Sequence, residues 1–184
     1  MNILYIDTHL HETNIILFKD SEIINQSIIK KEMNNNSILV PTIKQIINNI
    51  SIDEIVVING PGSFTGIRAG ITVAKTMAYL KHIPIKSVSY LDLMDYSLDE
   101  ENNIIGLYDN CGIYIGKYKN HKLLGDYAYI KLADFKLSSE KSYVKTDVTI
   151  DYKKALKEIS KLNSIDPKLV NPIYVKKLDY DKKN

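Results

Sequence analysis

Four of the chain's eight glycines fall inside one eleven-residue segment, Gly60-Pro61-Gly62-Ser63-Phe64-Thr65-Gly66-Ile67-Arg68-Ala69-Gly70. The apolar run Ile55–Ile58 precedes it and the helix-like stretch Thr72–Leu80 follows. A glycine-rich turn between a strand and a helix can hold a phosphate, because backbone N–H groups and the helix dipole favour anions there. The details disagree with that chemistry. A P-loop needs Lys-Ser/Thr after its last glycine, whereas Gly66 is followed by Ile67-Arg68. In the dinucleotide fingerprint the third glycine would come one place earlier, and no acidic residue ends the next strand near Lys86. Ser63, within Gly62-Ser63-Phe64, does not match a G-x-S-x-G nucleophile elbow.

Other residues capable of chemistry are sparse. His9 and His11 alternate on one side of an extended segment, but no third metal ligand is evident, so both read as solvent-facing turn residues. His82 and His121 are isolated, and Cys111 has no assignable histidine or helix N-terminus to activate it. Lys153-Lys154 and Lys176-Lys177 read as solvated faces. Asp7-Thr8 ends the first apolar run, where proteins built on paired ribonuclease-H-like layers orient a magnesium ion above a small glycine-rich turn. The turn here, Asp7-Thr8-His9-Leu10-His11, has no glycine, and Asp109-Asn110-Cys111-Gly112 has only one. For Asp7 a carboxylate capping its own hairpin is the favoured reading. Phosphoryl transfer rests on positioning and charge stabilisation, so losing both loops loses the chemistry.

The elements that would carry these residues can be read from periodicity. Ile3–Asp7, Asn14–Phe18 and Ile23–Ile29 are β-branched runs separated by polar turns, which predicts three antiparallel strands. Leu39, Ile43, Ile46, Ile47 and Ile50 recur at helical spacing, predicting a helix from about Ser37 to Ile50. A strand at Glu54–Asn59, the glycine segment, a helix to about Lys81, a strand at Ile83–Val88 and a short helix capped by Ser89 follow. Parallel strands joined by crossover helices after an antiparallel meander make a ribonuclease-H-like α/β layer. The polar stretch 98–103 predicts a boundary, giving domains 1–98 and 99–184. Asn103–Asp109 and Gly112–Tyr118 then form a second hairpin that echoes the first, in a half too short for a complete second layer. Tyr127–Leu132 and Tyr143–Val148 read as strands, Asp151–Leu162 as a helix, and the tail 172–177 as extended.

Within the second helix, Gly66, Gly70, Ala74 and Ala78 form an i, i+4 row, with Ala69, Val73 and Met77 alongside. Small side chains let another element approach closely. That element is either this protein's own sheet and first helix or a helix of another subunit. The rest of the ring includes Ile67, Ile71, Tyr79 and Leu80, too apolar for a solvated outer helix, so the pattern leans towards an interface.

Composition sets the outer bounds. At 184 residues, 45% hydrophobic and 25% charged, the chain can bury a core in one domain or two small ones. A net charge of +2, with Arg68 the only arginine, does not announce a nucleic-acid surface. One cysteine fits a reducing compartment, and neither a signal peptide nor a membrane span is evident, so a cytoplasmic protein is expected.

The segment Gly60–Gly70 after strand Ile55–Asn59 and before Ala74-Lys75 resembles the signature of the TsaB (YeaZ) family. That family supplies the dimerisation subunit of the bacterial complex that makes threonylcarbamoyladenosine in tRNA. Ile3–Thr8, Ser37–Pro41, Ile83–Leu91, Tyr108-Asp109 with Ile113-Tyr114, and Pro172–Tyr174 extend the resemblance, which is strong over 1–95 and thin afterwards. It implies the actin-like ATPase (ASKHA) superfamily fold, two ribonuclease-H-like layers with the second shortened, in a non-catalytic scaffold. It also implies a partner interface built by Leu39, Ile43, Ile46, Gly66, Arg68, Ala69, Gly70, Val73, Ala74 and Met77. The implied partners are a TsaD-type catalytic subunit, a TsaE-type ATPase, a second copy when alone, and tRNA only through the complex. ATP and metal belong to those partners; Asp7 and Thr8 would be a vestigial nucleotide contact, with no metal and no catalytic residue. An actin-like ATP-dependent kinase or hydrolase is the rival expectation. Two departures bear on nucleotide contact: His9 stands where the family usually has serine, and Asp109-Asn110-Cys111 replaces Asp-Ala-Arg.

Overall fold

The computed structural model describes residues 1–10, 12–30, 35–137 and 139–176. The three β-branched runs form β1 (Asn2–Asp7), β2 (Glu12–Lys19) and β3 (Glu22–Lys30), an antiparallel meander. Asp20 and Ser21 join β2 to β3 with positive φ of 49° and 69°, the left-handed pair that a two-residue hairpin turn requires. A 3₁₀ turn then leads into α1 (Leu39–Ile47). The helix stops short of Ile50 because Asn48 and Asn49 turn left-handed, and the Asn48 N–H bonds back to the Lys44 carbonyl at 3.0 Å.

Next come β4 (Glu54–Ile58), α2 (Phe64–Lys81), β5 (Ile85–Val88) and α3 (Tyr90–Tyr96). Both β1–β4 and β4–β5 are parallel, so the first sheet has the order β3-β2-β1-β4-β5. This is the expected ribonuclease-H-like layer. Ser63 caps α2 by accepting the Gly66 N–H at 3.3 Å, and Ser89 caps α3 through the Leu91 N–H at 3.1 Å. On one face of the sheet, Leu4, Ile6, Ile15 and Val57 pack against Leu39, Ile43 and Ile46 of α1 and Ile67, Ile71 and Ala74 of α2.

The second sheet holds β6 (Asn102–Tyr108), β7 (Gly112–Lys119), β8 (Lys122–Leu123), β9 (Ala128–Lys131) and β10 (Val144–Lys145), ordered β10-β6-β7-β8 with β9 also on β7. The apolar run after Tyr127 divides: β9 ends at Lys131, and α4 (Leu132–Leu137) begins where the Leu132 N–H bonds to the Cys111 carbonyl. The Tyr143–Val148 run contributes only the two residues of β10 to the sheet.

The chain then returns to the first sheet. α5 (Tyr152–Ser160), capped by Asp151, places Ala155, Leu156 and Ile159 against Tyr5, Phe18, Val56 and Ile58 on the face opposite α1 and α2. Beyond it, Ile165 bridges the outer edge of β5, Val170 enters the first core, and the Ile173 N–H bonds to the Asn59 carbonyl. The two sheets thus lie either side of the 98/99 step, while α5 and Val170 pack on the first and Val175 reaches the core of the second. Among the described residues, no helix is long and apolar enough to cross a membrane.

Candidate functional site

The glycine segment is used up by the protein itself. The Ser63 N–H bonds to the His9 carbonyl at 2.6 Å, and the Gly66 N–H is taken by the Ser63 hydroxyl. Gly62 has a φ of 153°, and a Cβ there would lie 2.2 Å from the His9 carbonyl oxygen. A Cβ added at Gly70 would lie 2.3 Å from the Thr8 hydroxyl oxygen, which itself donates to the Gly66 carbonyl at 2.7 Å. These glycines let the start of α2 seat directly on the end of β1.

This placement sorts the residues expected at a partner interface. Gly66, Gly70, Ala74 and Ala78 are buried, with Ala74 and Ala78 in the core beside Leu4 and Ile6. The small-residue row therefore faces the protein's own sheet, which corrects the leaning towards an interface for those positions. Leu39, Ile43 and Ile46 of α1 are likewise buried in that core. Ala69, Val73 and Met77 are half-buried at its margin. On a helix they share a stripe with Thr76 and Leu80, seven residues on from Ala69 and Val73, and both of these are exposed. Arg68 lies on the other flank. Its guanidinium sits 3.8 Å from the Phe64 ring centroid, and its Nε donates to the Tyr174 hydroxyl at 2.9 Å. The tail holds that flank again at Lys75, which donates to the Lys168 and Val170 carbonyls at 3.4 Å each.

Asp7 is buried with Thr8 and His9 at the end of β1. Its Oδ1 accepts the His9 backbone N–H at 3.0 Å and meets the ring Nδ1 of the same residue at 2.5 Å. Its Oδ2 accepts the Tyr5 hydroxyl at 3.2 Å. The His9 ring stacks on Tyr90 with centroids 3.9 Å apart. Contrary to the solvent-facing expectation, His9 is thus an interior residue, drawn in by Asp7 and Tyr90; its Nε2 is buried without a hydrogen-bond partner among the described residues. His11 lies outside the described residues. Burial, with the Asp7 charge adding, pushes the Tyr90 hydroxyl up to about 12 and Tyr5 well above its ordinary value. Both phenols stay neutral donors at physiological pH.

The fold's superfamily implies a magnesium-bound nucleotide between its two layers, and the residues present do not fit one. Both Asp7 oxygens are committed to its own hairpin and to Tyr5, and the imidazole occupies the turn. Among the described residues, no group of three or more His, Cys, Asp or Glu could hold a metal ion. Asp109, in the second hairpin turn, is committed in the same way. Its Oδ1 accepts the N–H groups of Cys111 and Gly112 at 2.8 and 2.7 Å and the Tyr129 hydroxyl at 2.9 Å; Oδ2 faces the Lys176 ammonium at 3.4 Å. Burial works to raise its pKa, but the Cys111 N–H, Tyr129, the Gly112 N–H and Lys176 outweigh it, leaving the carboxyl below its ordinary value. Lys176 is pushed up to about 12, chiefly by its hydrogen bond with Tyr129, with Asp109 adding. A cleft of about 630 Å³ separates the two turns, lined by His9, Gly62, Ser63, Asp109, Cys111 and Lys176.

Sequence reasoning missed the aromatic partners: Tyr5 and Tyr90 around Asp7, Phe64 and Tyr174 around Arg68, and Tyr129 on Asp109. The strand alternation that places Tyr5 two residues before Asp7 on one face was the available signal for the first. Phe64 precedes Arg68 by one helical turn, so its i, i+4 spacing was a second local signal; Tyr90, Tyr174 and Tyr129 come from other elements and carry none.

The chain is similar to known proteins in sequence and in fold. The family model described as "TsaD: tRNA N6-adenosine threonylcarbamoyltransferase" matches residues 31–131. The chain is 35% identical over 99 residues to the tRNA threonylcarbamoyladenosine biosynthesis protein TsaB of Bacillus subtilis (strain 168), covering 51% of this chain and 43% of that protein. It is 32% identical over 97 residues to the TsaB protein of Buchnera aphidicola subsp. Schizaphis graminum, covering 50% and 46% respectively. The chain therefore spans less than half the length of these curated relatives. A crystal structure from Pseudomonas aeruginosa, described as an uncharacterized protein with similarity to peptidase YeaZ, superposes with a TM-score of 0.73 at 15% identity, over 95% of this chain and 99% of that one. At that identity the likeness is one of fold, the two-layer fold of the actin-like ATPases. The chain belongs to the TsaD/TsaB family of that model, on its TsaB (YeaZ) branch.

Proposed function

We propose that the chain is a non-catalytic subunit that binds and positions a TsaD-type catalytic subunit in tRNA N6-threonylcarbamoyladenosine biosynthesis. Both curated relatives are named for that biosynthesis. The observation that carries the reading is the division of α2. Its buried ridge and its Arg68–Lys75 flank are occupied by the chain itself, while the apolar stripe beside them is covered less, with Ala69, Val73 and Met77 half-buried and Leu80 exposed. An apolar helix flank of this kind fits a helix of another subunit. Val40 of α1 is likewise exposed on its helix and extends the apolar surface available.

In this reading ATP and metal are handled by the partners, a TsaE-type ATPase joins the assembly, and tRNA meets the chain only through the complex in the cytoplasm. The commitment of Asp7 and Asp109 to internal hydrogen bonds supports a role without chemistry of its own. It also argues against an ATP-dependent kinase or hydrolase. A vestigial nucleotide contact at Asp7 and Thr8 would have to displace His9. The test is to titrate the chain into a TsaD-type subunit, follow complex formation and threonylcarbamoyl transfer, and assay the isolated chain with magnesium and ATP. Binding with restored transfer and no ATP turnover is the expected result. Turnover by the chain alone would favour the kinase reading and contradict this one.

A further inference from the structure

Arg68 is held in place without being neutralised. Its guanidinium carbon lies 3.8 Å from the Phe64 ring centroid and 5.9 Å from that of Tyr174, and the two rings sit 5.4 Å apart. Its Nε donates to the Tyr174 hydroxyl at 2.9 Å, and among the described residues no carboxylate pairs with it. The Nη1 and Nη2 groups therefore keep their four N–H donors without a protein acceptor among those residues. An exposed arginine ordinarily samples many rotamers. Here one hydrogen bond and a ring beneath it fix its plane, and the pair of Nη groups matches the two oxygens of a carboxylate.

The same side chain lines a cavity of about 530 Å³ between the start of α2 and the returning tail. Its walls are Phe64, Ile67, Tyr114, Ile173 and Val175, of which Ile67 and Tyr114 are buried. Lys176 lines it too, but that ammonium is matched by Asp109 at 3.4 Å and hydrogen-bonded with Tyr129. Gly62, Tyr114 and Lys176 are shared with the cleft between the two hairpin turns; Phe64, Arg68 and Tyr174 belong to this cavity and not to that cleft.

We propose that this cavity binds a small monocarboxylic acid with an aromatic or branched apolar body, its carboxylate held by Arg68 Nη1 and Nη2 and its body set against Phe64, Ile67 and Tyr114. One uncompensated cation sets one negative charge. A phosphate dianion would bring a second charge, with oxygens that apolar walls cannot hydrate. The volume lies in the range of small-molecule sites, which are mostly apolar with a few fixed polar groups. The site shares no residue with the stripe Ala69-Val73-Met77-Leu80, so it can stand or fall apart from the proposed partner contact.

Calorimetric titration of the isolated chain with 2-naphthylacetate tests the site. A Kd of about 0.1–1 mM is expected for an acid of that size, with amide shifts in NMR spectra centred on residues 173–175. The uncharged 2-naphthylacetamide should bind at least about tenfold more weakly. Arg68→Gln should cost about tenfold, and Arg68→Lys, which keeps the charge and loses the fork, at least about fivefold. Lys168→Gln removes an equal charge elsewhere on the tail and should leave affinity within about twofold. Circular dichroism checks the fold of each variant, and Tyr174→Phe, which removes only the Nε acceptor, should cost about threefold should Arg68→Gln fail to fold. No binding at about 5 mM acid overturns the proposal. So does equal binding of the amide, or acid affinity unchanged in both arginine variants. Inorganic phosphate that displaces the acid at equal concentration overturns the choice of a monocarboxylate. A Gly-Gly-Phe peptide that binds at least about tenfold more tightly than the free acid would make the occupant a protein C-terminus and overturn the small-molecule assignment.

Discussion

Along α2, the ridge Gly66-Gly70-Ala74-Ala78 and the stripe Ala69-Val73-Met77 run side by side, and both are built of small or flexible apolar residues. The ridge is buried on β1 and β4, close enough that Thr8 meets Gly70, whereas the stripe lies half-open at the margin of the core. A third strip, Arg68-Lys75-Tyr79, is engaged by the returning tail, with Lys168 placed 5.4 Å over the Tyr79 ring. Small residues at four-residue spacing thus report that something approaches closely without saying what. Here the smallest ones serve the protein's own sheet, and the slightly larger ones beside them lie half-buried at its margin, where the proposed partner would meet them.

Substitutions can break this division where it is sharpest. Ala74→Arg would bury an unpaired charge at a fully enclosed site, and Gly70→Leu would drive a side chain into Thr8. Each is expected to cost about 3 kcal/mol or more and to appear as lost cooperativity or a much lower midpoint in urea unfolding. Native-like stability in either would mean that the ridge does not face the sheet. On the tail-held strip the effects should be milder. Arg68→Ala removes the contacts to Phe64 and Tyr174 and should lower stability by about 1 kcal/mol with affinity for a TsaD-type partner within a few-fold of wild type. A large loss of partner binding there would move the interface to the Arg68 flank.

The smallest expected effect is one of pH. Asp109 lies below its ordinary carboxylate value in the fold, so its hold on Lys176 and Tyr129 is present above that value and lost as pH falls through the folded one. Lys176 is raised to about 12, so its contribution is present below its ordinary value of 10.5 and lost as pH rises through about 12. Protection of the Ile173 N–H against hydrogen exchange should therefore be flat near neutrality and fall in acid below about pH 4. Partner affinity at neutral pH should not change with it. Protection that rises in acid would contradict the assignment.

The first layer was legible because its signals are local. β-Branched alternation, polar two-residue turns, Ser63 and Ser89 as caps, and the isoleucine spacing of α1 each specify their own element. The second half was less so, since α4 and β10 are short pieces fixed by contacts with β7 and β6. Asp7 as a cap on its own hairpin could be read from a turn lacking glycine. That His9 would fold inward could not, because Tyr90, which it stacks on, is 81 residues away in the chain. The facing of α2 was ambiguous for a similar reason: Thr8, the residue that demands Gly70, lies just past the end of β1, 62 residues earlier in the chain.

The open stripe is tested most directly with Thr76→Arg and Leu80→Asp combined, two exposed positions on it whose replacement leaves the core untouched. Titrated into a TsaD-type subunit, the double variant should keep wild-type circular dichroism and unfolding midpoint while losing roughly 100-fold or more in affinity, about 2.7 kcal/mol, and with it the stimulation of threonylcarbamoyl transfer. A folded double variant that binds and stimulates like wild type would contradict the claim that this chain works through the outer stripe of α2.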